Sequence, residues 1–302
     1  MTQPPPLFDR ARHRARLDRA AAGFAGAEFL KRRAAEDIGA RLAAINRRFD
    51  LAIELGARTG VFADVLATGP AAGKIDTLIQ ADLSGAMLAR ASGPRVVADE
   101  ARLPFAEESA DLIVSSLALH WVDDVVGALI QIRRTLKADG LFLGSLLGGG
   151  TLAELRASLT EAELELTGGA GPRISPVLDP YDGGALMQRA GFALPVIDVD
   201  TVRVRYDHPL KLIADLRAMG ETGALAERPR PLSRAVLARA SEIYAKRFGE
   251  PDGRIAATFE IVTLTGWTPH PDQQQPLSPG SARTRLADAL GTRERPAGEK
   301  AG

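Results

Sequence analysis

From about residue 49 to residue 147 the chain alternates short apolar runs with stretches of helical periodicity. Leu51-Ala52-Ile53-Glu54-Leu55 reads as a strand ending in an acid. The glycine turn Gly56-Ala57-Arg58-Thr59-Gly60 then leads into a helical pattern over 61–67. A second apolar run over 75–81 ends in Asp82-Leu83-Ser84, just before a helix that begins at Gly85. A short third strand over 95–101 carries Asp99 and Glu100 at its end. The run over 109–116 is apolar behind its leading acid, the pattern of a central strand buried on both faces. His120 and Trp121 follow just past its carboxyl end, before a helix over 125–136, a turn over 137–140 and a fifth strand over 141–147.

Beyond residue 150 the pattern changes. A helix over 151–166 has Thr151 as its expected N-cap and Glu154 completing a capping box. A Gly- and Pro-rich loop and a helix over 181–190 precede an alternating strand over 196–206. Helices over 209–219 and 232–248 separate it from a second alternating strand over 255–265. Alternation in the last two strands predicts an antiparallel pair at the sheet edge, with 209–249 projecting as a helical cap. The first 48 residues read as basic helices, 49–268 as the main α/β domain, and 269–302, rich in Pro, Gly, Gln and Ser, as a disordered tail with a short helix near 283–290.

A strand, a glycine turn and a helix make a nucleotide-cradling corner of a doubly wound sheet, or an ordinary strand–helix turn. Asp82 lies 22 residues beyond Gly60. That offset suits an acid at the end of the second strand that takes both ribose hydroxyls. The same residue could cap the following helix. With both segments present, the nucleotide-type site is the better reading.

Composition narrows the chemistry. The 302 residues contain 38 Lys plus Arg and 38 Asp plus Glu, so no overall field favours nucleic acid. There is no cysteine, which excludes disulfides, thiolate metal sites and cysteine nucleophiles. Four scattered histidines show no metal-ligand spacing, and no apolar run is long enough for a membrane span. Residues 8–49 hold eleven Lys or Arg against five acids. Arg-rich helices can be transit peptides or membrane-surface binders, but Asp9, Asp18 and Glu28 argue instead for a solvated face on helices that cover the sheet.

The segments Glu54–Gly60, Asp82–Leu88, Asp99–Phe105 and Leu136–Gly140, in this order, resemble the class I S-adenosylmethionine-dependent methyltransferases. Leu103-Pro104-Phe105 with Ser116-Leu117-Ala118-Leu119-His120-Trp121 resembles the branch that contains the biotin-pathway carrier-protein methyltransferase. In the cap, Asp215-Leu216-Arg217-Ala218-Met219-Gly220-Glu221-Thr222, with Gly266-Trp267-Thr268-Pro269, is similar to the complex I assembly factor 5 family and its alphaproteobacterial relatives. The resemblance implies a Rossmann-like, seven-stranded, mostly parallel sheet with N-terminal helices and a helical cap between the last two strands. It implies S-adenosyl-L-methionine as cofactor. Glu54 would meet the methionine amine, with Gly56, Arg58, Gly60 and Leu83 lining the cofactor. Asp82 would take the ribose, and Asp99 with Glu100 the adenine. His120, Trp121 and Arg217 become the catalytic-side candidates, against bland readings in which Trp121 packs under the cap and Arg217 pairs with Glu221 one turn away. Arg58 departs from the family, which has glycine there. Its side chain either swings out, pairs with the cofactor carboxylate or obstructs the site.

Three functions follow from the resemblance: methyl transfer to a protein or small-molecule carboxylate, hydroxylation of an arginine in a complex I subunit, or non-catalytic assembly. A cytoplasmic protein, peripheral at the inner face of a membrane and without an integral span, suits all three.

Overall fold

Seven strands form one sheet: β1 (Phe49–Leu55), β2 (Ile75–Asp82), β3 (Arg95–Val97), β4 (Ala110–Ser116), β5 (Leu136–Leu147), β6 (Ala193–Tyr206) and β7 (Ile255–Trp267). Their spatial order is β3-β2-β1-β4-β5-β7-β6. The computed structural model describes residues 5–177, 179–227, 230–273, 281 and 284–293. The first five strands run parallel to one another, and β7 runs antiparallel to both β5 and β6. This is the seven-stranded, mostly parallel sheet that the sequence resemblance implies. The apolar run over Ala110–Ser116 lies in the middle of it, and every one of its residues is buried. Edge strand β6 keeps one face in solvent, which accounts for its alternation.

Helices α1 (Arg10–Ala20), α2 (Phe29–Ala44) and α3 (Val61–Thr68) pack on one face, and α5 (Val125–Thr135) and α7 (Gly183–Arg189) on the other, after the short α4 (Gly85–Leu88). A third apolar cluster lies under α6 (Ala153–Thr167), α8 (Pro209–Ala218) and α9 (Arg234–Phe248), where Leu155, Leu216, Tyr244 and Phe259 meet. The chain reverses direction across the sheet between β1 and β4, so a crevice opens at their carboxyl ends.

Two local expectations are corrected. Thr151 does not cap α6. Leu152 stands at that position with a left-handed φ of 54° and no side-chain cap. The Thr151 hydroxyl instead bonds the Glu260 backbone, and Glu154 accepts from the backbone and hydroxyl of Thr258. Both side chains satisfy β7, a longer-range demand than the first turn of their own helix makes. The expected turn over 137–140 lies inside β5, where Asp139 adopts φ 58° and the pairing with β4 shifts register.

No helix among the described residues is long and apolar enough to cross a membrane. Residues 270–302 form a separate unit. A short α10 (Leu286–Ala289) falls within the stretch expected to be helical, while most of the tail expected to be disordered lies outside the described residues.

Candidate functional site

The crevice begins at the glycine turn after β1. Gly56 and Gly60 take φ values of 71° and 90°. A Cβ on Gly56 would collide with the Ala118 side chain, and one on Gly60 would meet Gln80 Oε1 at 2.8 Å. Between them Arg58 also sits in the left-handed region, at φ 55°. Non-glycine residues hold such a conformation only where their surroundings fix it. Here Asp82 does so. It is fully buried at the end of β2, and one of its carboxylate oxygens accepts both the Arg58 backbone N–H (2.8 Å) and Nη1 (2.9 Å). Its other oxygen accepts the Ser84 N–H. Ser84, not Asp82, caps α4.

Arg58 is therefore neither swung out nor solvated; it is 2% exposed. Its Nη2 reaches to 3.6 Å from Glu221. Burial pushes the guanidinium pKa down, but Asp82 and Glu221 outweigh it and hold the value above the ordinary arginine range.

Two more cations enter from the N-terminal helices. Lys31 of α2 donates its ammonium to the carbonyl oxygens of Gly56 and Ser116 and stands 3.9 Å from Glu54. Glu54 is fully buried, and among the described residues neither of its oxygens makes a hydrogen bond of ordinary geometry. Burial pushes the Glu54 carboxyl up and the Lys31 ammonium down, each opposed by the other's charge. Arg10 of α1 joins Asp99 (2.6 Å) to Glu100 and also donates to the Trp121 carbonyl (3.0 Å). The expectation that the N-terminal cations line a solvated face therefore fails for Arg10 and Lys31, which turn inward to neutralise acids at the strand ends. Nothing in the helical period announces this, because a cation on the inner face is invisible without the acid it meets.

The far wall centres on Glu221. Trp121 Nε1 donates to Glu221 Oε2 (2.7 Å), and His120 Nε2 lies 3.1 Å from the same oxygen. Burial raises the Glu221 pKa, but the bond to His120 and the charge of Arg58 win and hold it at about 2. Arg217, one turn earlier, is exposed and pairs with no acid among the described residues. Trp121 is stacked by His13 at 4.5 Å and met edge-on by Phe8 at 5.2 Å. In the sequence His13 stands out only as one of four scattered histidines without metal-ligand spacing.

Burial, aided by Arg58, pushes the His13 pKa down to about 2 from 6.5. The unfolded chain gains a proton below pH 6.5 that the folded chain refuses. Stability therefore falls as pH drops below that value, by up to about 1.4 kcal/mol per pH unit. His13→Phe keeps a ring against Trp121 without the proton, so urea unfolding at pH 7.5 and 5.5 should show a smaller acid loss in the variant. Equal losses would show that His13 is not the responsible group.

Beside Arg58, His120 and Trp121 opens a cavity of about 710 Å3 under α6 and α8. Its walls are largely leucine, with Met219 and Phe259, and several arginines stand around it. Among the described residues no group of His, Asp or Glu is arranged to hold a metal.

Comparison with known proteins bears on the family and the fold. A family model described as a methyltransferase domain matches residues 53–144, from β1 to β5. The chain is 38% identical to the arginine-hydroxylase NDUFAF5 of Danio rerio, a mitochondrial protein, over 93% of this chain and 89% of that one. The chain belongs to the S-adenosylmethionine-dependent methyltransferase family that includes NDUFAF5. It is also 31% identical to the malonyl-[acyl-carrier protein] O-methyltransferase of Methylovorus sp., over 96% of this chain and all of that one. The fold of this family is shared by the YcgJ protein of Bacillus subtilis, with a TM-score of 0.53, 17% identity, and coverage of 77% of this chain and 98% of that one. As a member of the family, the chain is an enzyme of the methyltransferase type, and S-adenosylmethionine is its cofactor.

Proposed function

We propose that the chain holds S-adenosylmethionine at Glu54, Gly56, Gly60, Asp82, Leu83, Asp99 and Glu100, and acts on an acceptor placed in the cavity beside His120 and Trp121. The observation that carries this reading is the position of the Lys31 ammonium. Two backbone carbonyls, of Gly56 and Ser116, converge on it with the Glu54 carboxylate behind them. That arrangement is a receptor for a primary ammonium, and Lys31 is its stand-in. In the same way the Arg58 guanidinium stands on Asp82, where a diol would be held, and Arg10 on Asp99 and Glu100, where a purine would be addressed.

The residues thus fit the cofactor once these cations withdraw. The bound cofactor supplies a methyl group already activated on a sulfonium, so the chain needs no strong acid or base. Its task is alignment in a dry pocket. Glu54 balances an amine, and Asp82 accepts hydroxyls. Glu221 locks His120 and Trp121 into one wall, and Arg217 stands at the cavity mouth.

The acceptor we propose is a protein, a complex I subunit by analogy with NDUFAF5, or a carboxylate by analogy with the malonyl-carrier methyltransferase. The proposed place of action is the cytoplasmic face of the membrane that holds complex I. A second reading, arginine hydroxylation of such a subunit, is favoured by the activity named for NDUFAF5 and by a cofactor corner closed with the chain's own cations. Aerobic incubation with methyl-labelled cofactor, an added electron donor and a candidate complex I subunit separates the readings by mass, dioxygen and the donor supplying the oxygen atom and the electrons that hydroxylation needs. Gain of a labelled methyl supports the first, and gain of one oxygen the second. An unchanged subunit that still forms a complex with the protein would point to assembly without catalysis.

A further inference from the structure

The cavity under the cap has a charge distribution that the cofactor corner does not explain. Its floor is built from side chains such as Leu117, Leu155, Leu159, Leu216 and Phe259. Among the acids of the described residues, Glu221 alone borders it, and that carboxylate is already taken by His120, Trp121 and Arg58. Around it stand Arg16 and Arg19 of α1, Arg217 of α8 and Arg230 of the following loop. None of these four has an acidic partner among the described residues. Arg16 is half-buried, and burial together with the neighbouring guanidiniums of Arg12 and Arg19 pushes its pKa below the ordinary arginine value. Cations gathered in this way repel each other, and an anion placed among them would relieve that repulsion.

We infer that the cavity binds a single-chain amphiphile, with its apolar tail on the leucine floor and its anionic head, a carboxylate or phosphate, among Arg16, Arg19, Arg217 and Arg230. The volume, about 710 Å3, lies within the roughly 300–1,000 Å3 of small-ligand pockets. An acidic peptide would satisfy the rim but leave its polar backbone unpaired against the leucines. An uncharged lipid would fill the floor and leave the rim repelling itself. A guanidinium substrate would meet like charges on every side and a carboxylate already engaged, so the cavity sides with the methyl-transfer reading against arginine hydroxylation. This inference rests on the cavity being the acceptor side of the proposed site, but it concerns binding alone.

The test is calorimetric titration of the full chain, without cofactor, using four probes of equal tail length below their micellar concentrations: dodecanoate, dodecyl phosphate, dodecanol and dodecylamine. Dodecanoate or dodecyl phosphate should bind at least tenfold more tightly than dodecanol, and dodecylamine most weakly. The tighter of the two anions identifies the head. In the variant Arg16→Ala/Arg217→Ala, shown to be folded by its thermal melt, the anion advantage should fall at least tenfold while dodecanol binding stays as it was. Dodecylamine binding as tightly as the anions, or an undiminished anion advantage in the variant, overturns the inference. Because no turnover is read, failure of methyl transfer leaves this result standing, and failure here leaves the methyl-transfer assay standing.

Discussion

Arg58→Gly should raise the affinity for S-adenosylmethionine at least tenfold while making the free protein less stable. The guanidinium is buried on Asp82 at 2.9 Å. Any diol that is to reach this carboxylate must first displace it, and that displacement is subtracted from the binding free energy. Glycine removes the competitor and suits the φ of 55°. The free protein loses one half of a buried ion pair, typically about 3–5 kcal/mol. About 1–2 kcal/mol returns from relief of the left-handed backbone. The net loss is therefore roughly 1–4 kcal/mol, and Asp82 keeps its two backbone N–H donors. Calorimetry gives the affinity, and denaturant unfolding the stability. A tenfold fall in affinity, about 1.4 kcal/mol, would show instead that Arg58 moves onto the ligand and holds it.

Asp82→Ala should remove cofactor binding and, contrary to what the sequence suggests, also weaken the fold. From the sequence Asp82 is a ribose-facing acid or a helix cap, and neither reading gives it a buried counter-charge to hold. In the structure it is the main counter-charge of a buried guanidinium, whose next acid, Glu221, is 3.6 Å away. Stranding that charge costs about 3–5 kcal/mol. The double variant Arg58→Gly/Asp82→Ala should be more stable than the sum of the single losses implies, because neither charge is then left alone. It should still fail to bind the cofactor. Single losses that add within about 0.5 kcal/mol would mean the two residues do not interact.

The sheet and its acidic corner were legible because their signals are local. An apolar run, a glycine turn and an acid at a fixed offset define β1, β2 and the left-handed turn positions of Gly56 and Gly60. Arg58 was legible as a departure but not in its direction, since only the fold brings Asp82 within reach of its side chain. Arg10 and Lys31 were misread because their partners lie 89 and 25 positions away, in other elements. Glu221 was read against Arg217, its neighbour by helical spacing, whereas its hydrogen bonds go to Trp121 and His120, about a hundred residues earlier. Local spacing offers candidates for pairing, and burial decides among them. The same competition moved Thr151 and Glu154 from a helix cap to β7.

The N-terminal helices are fastened to a part of the chain made much later. Asp9 N–H donates to the Ala224 carbonyl at 2.8 Å, Phe8 bridges to Leu225, and Arg12 donates to the Leu225 carbonyl, 213 residues further on. At the ~5–20 residues per second of protein synthesis, the first helix leaves the ribosome roughly 10–40 s before its anchor does. Glu100, 90 residues after Arg10, is made less than halfway through that interval, but Leu225 is missing until its end, and until then the segment is open to other acidic or apolar surfaces. Docking of α1 is then a late event in the birth of the molecule, and nascent chains that end before about residue 225 should show α1 accessible to protease.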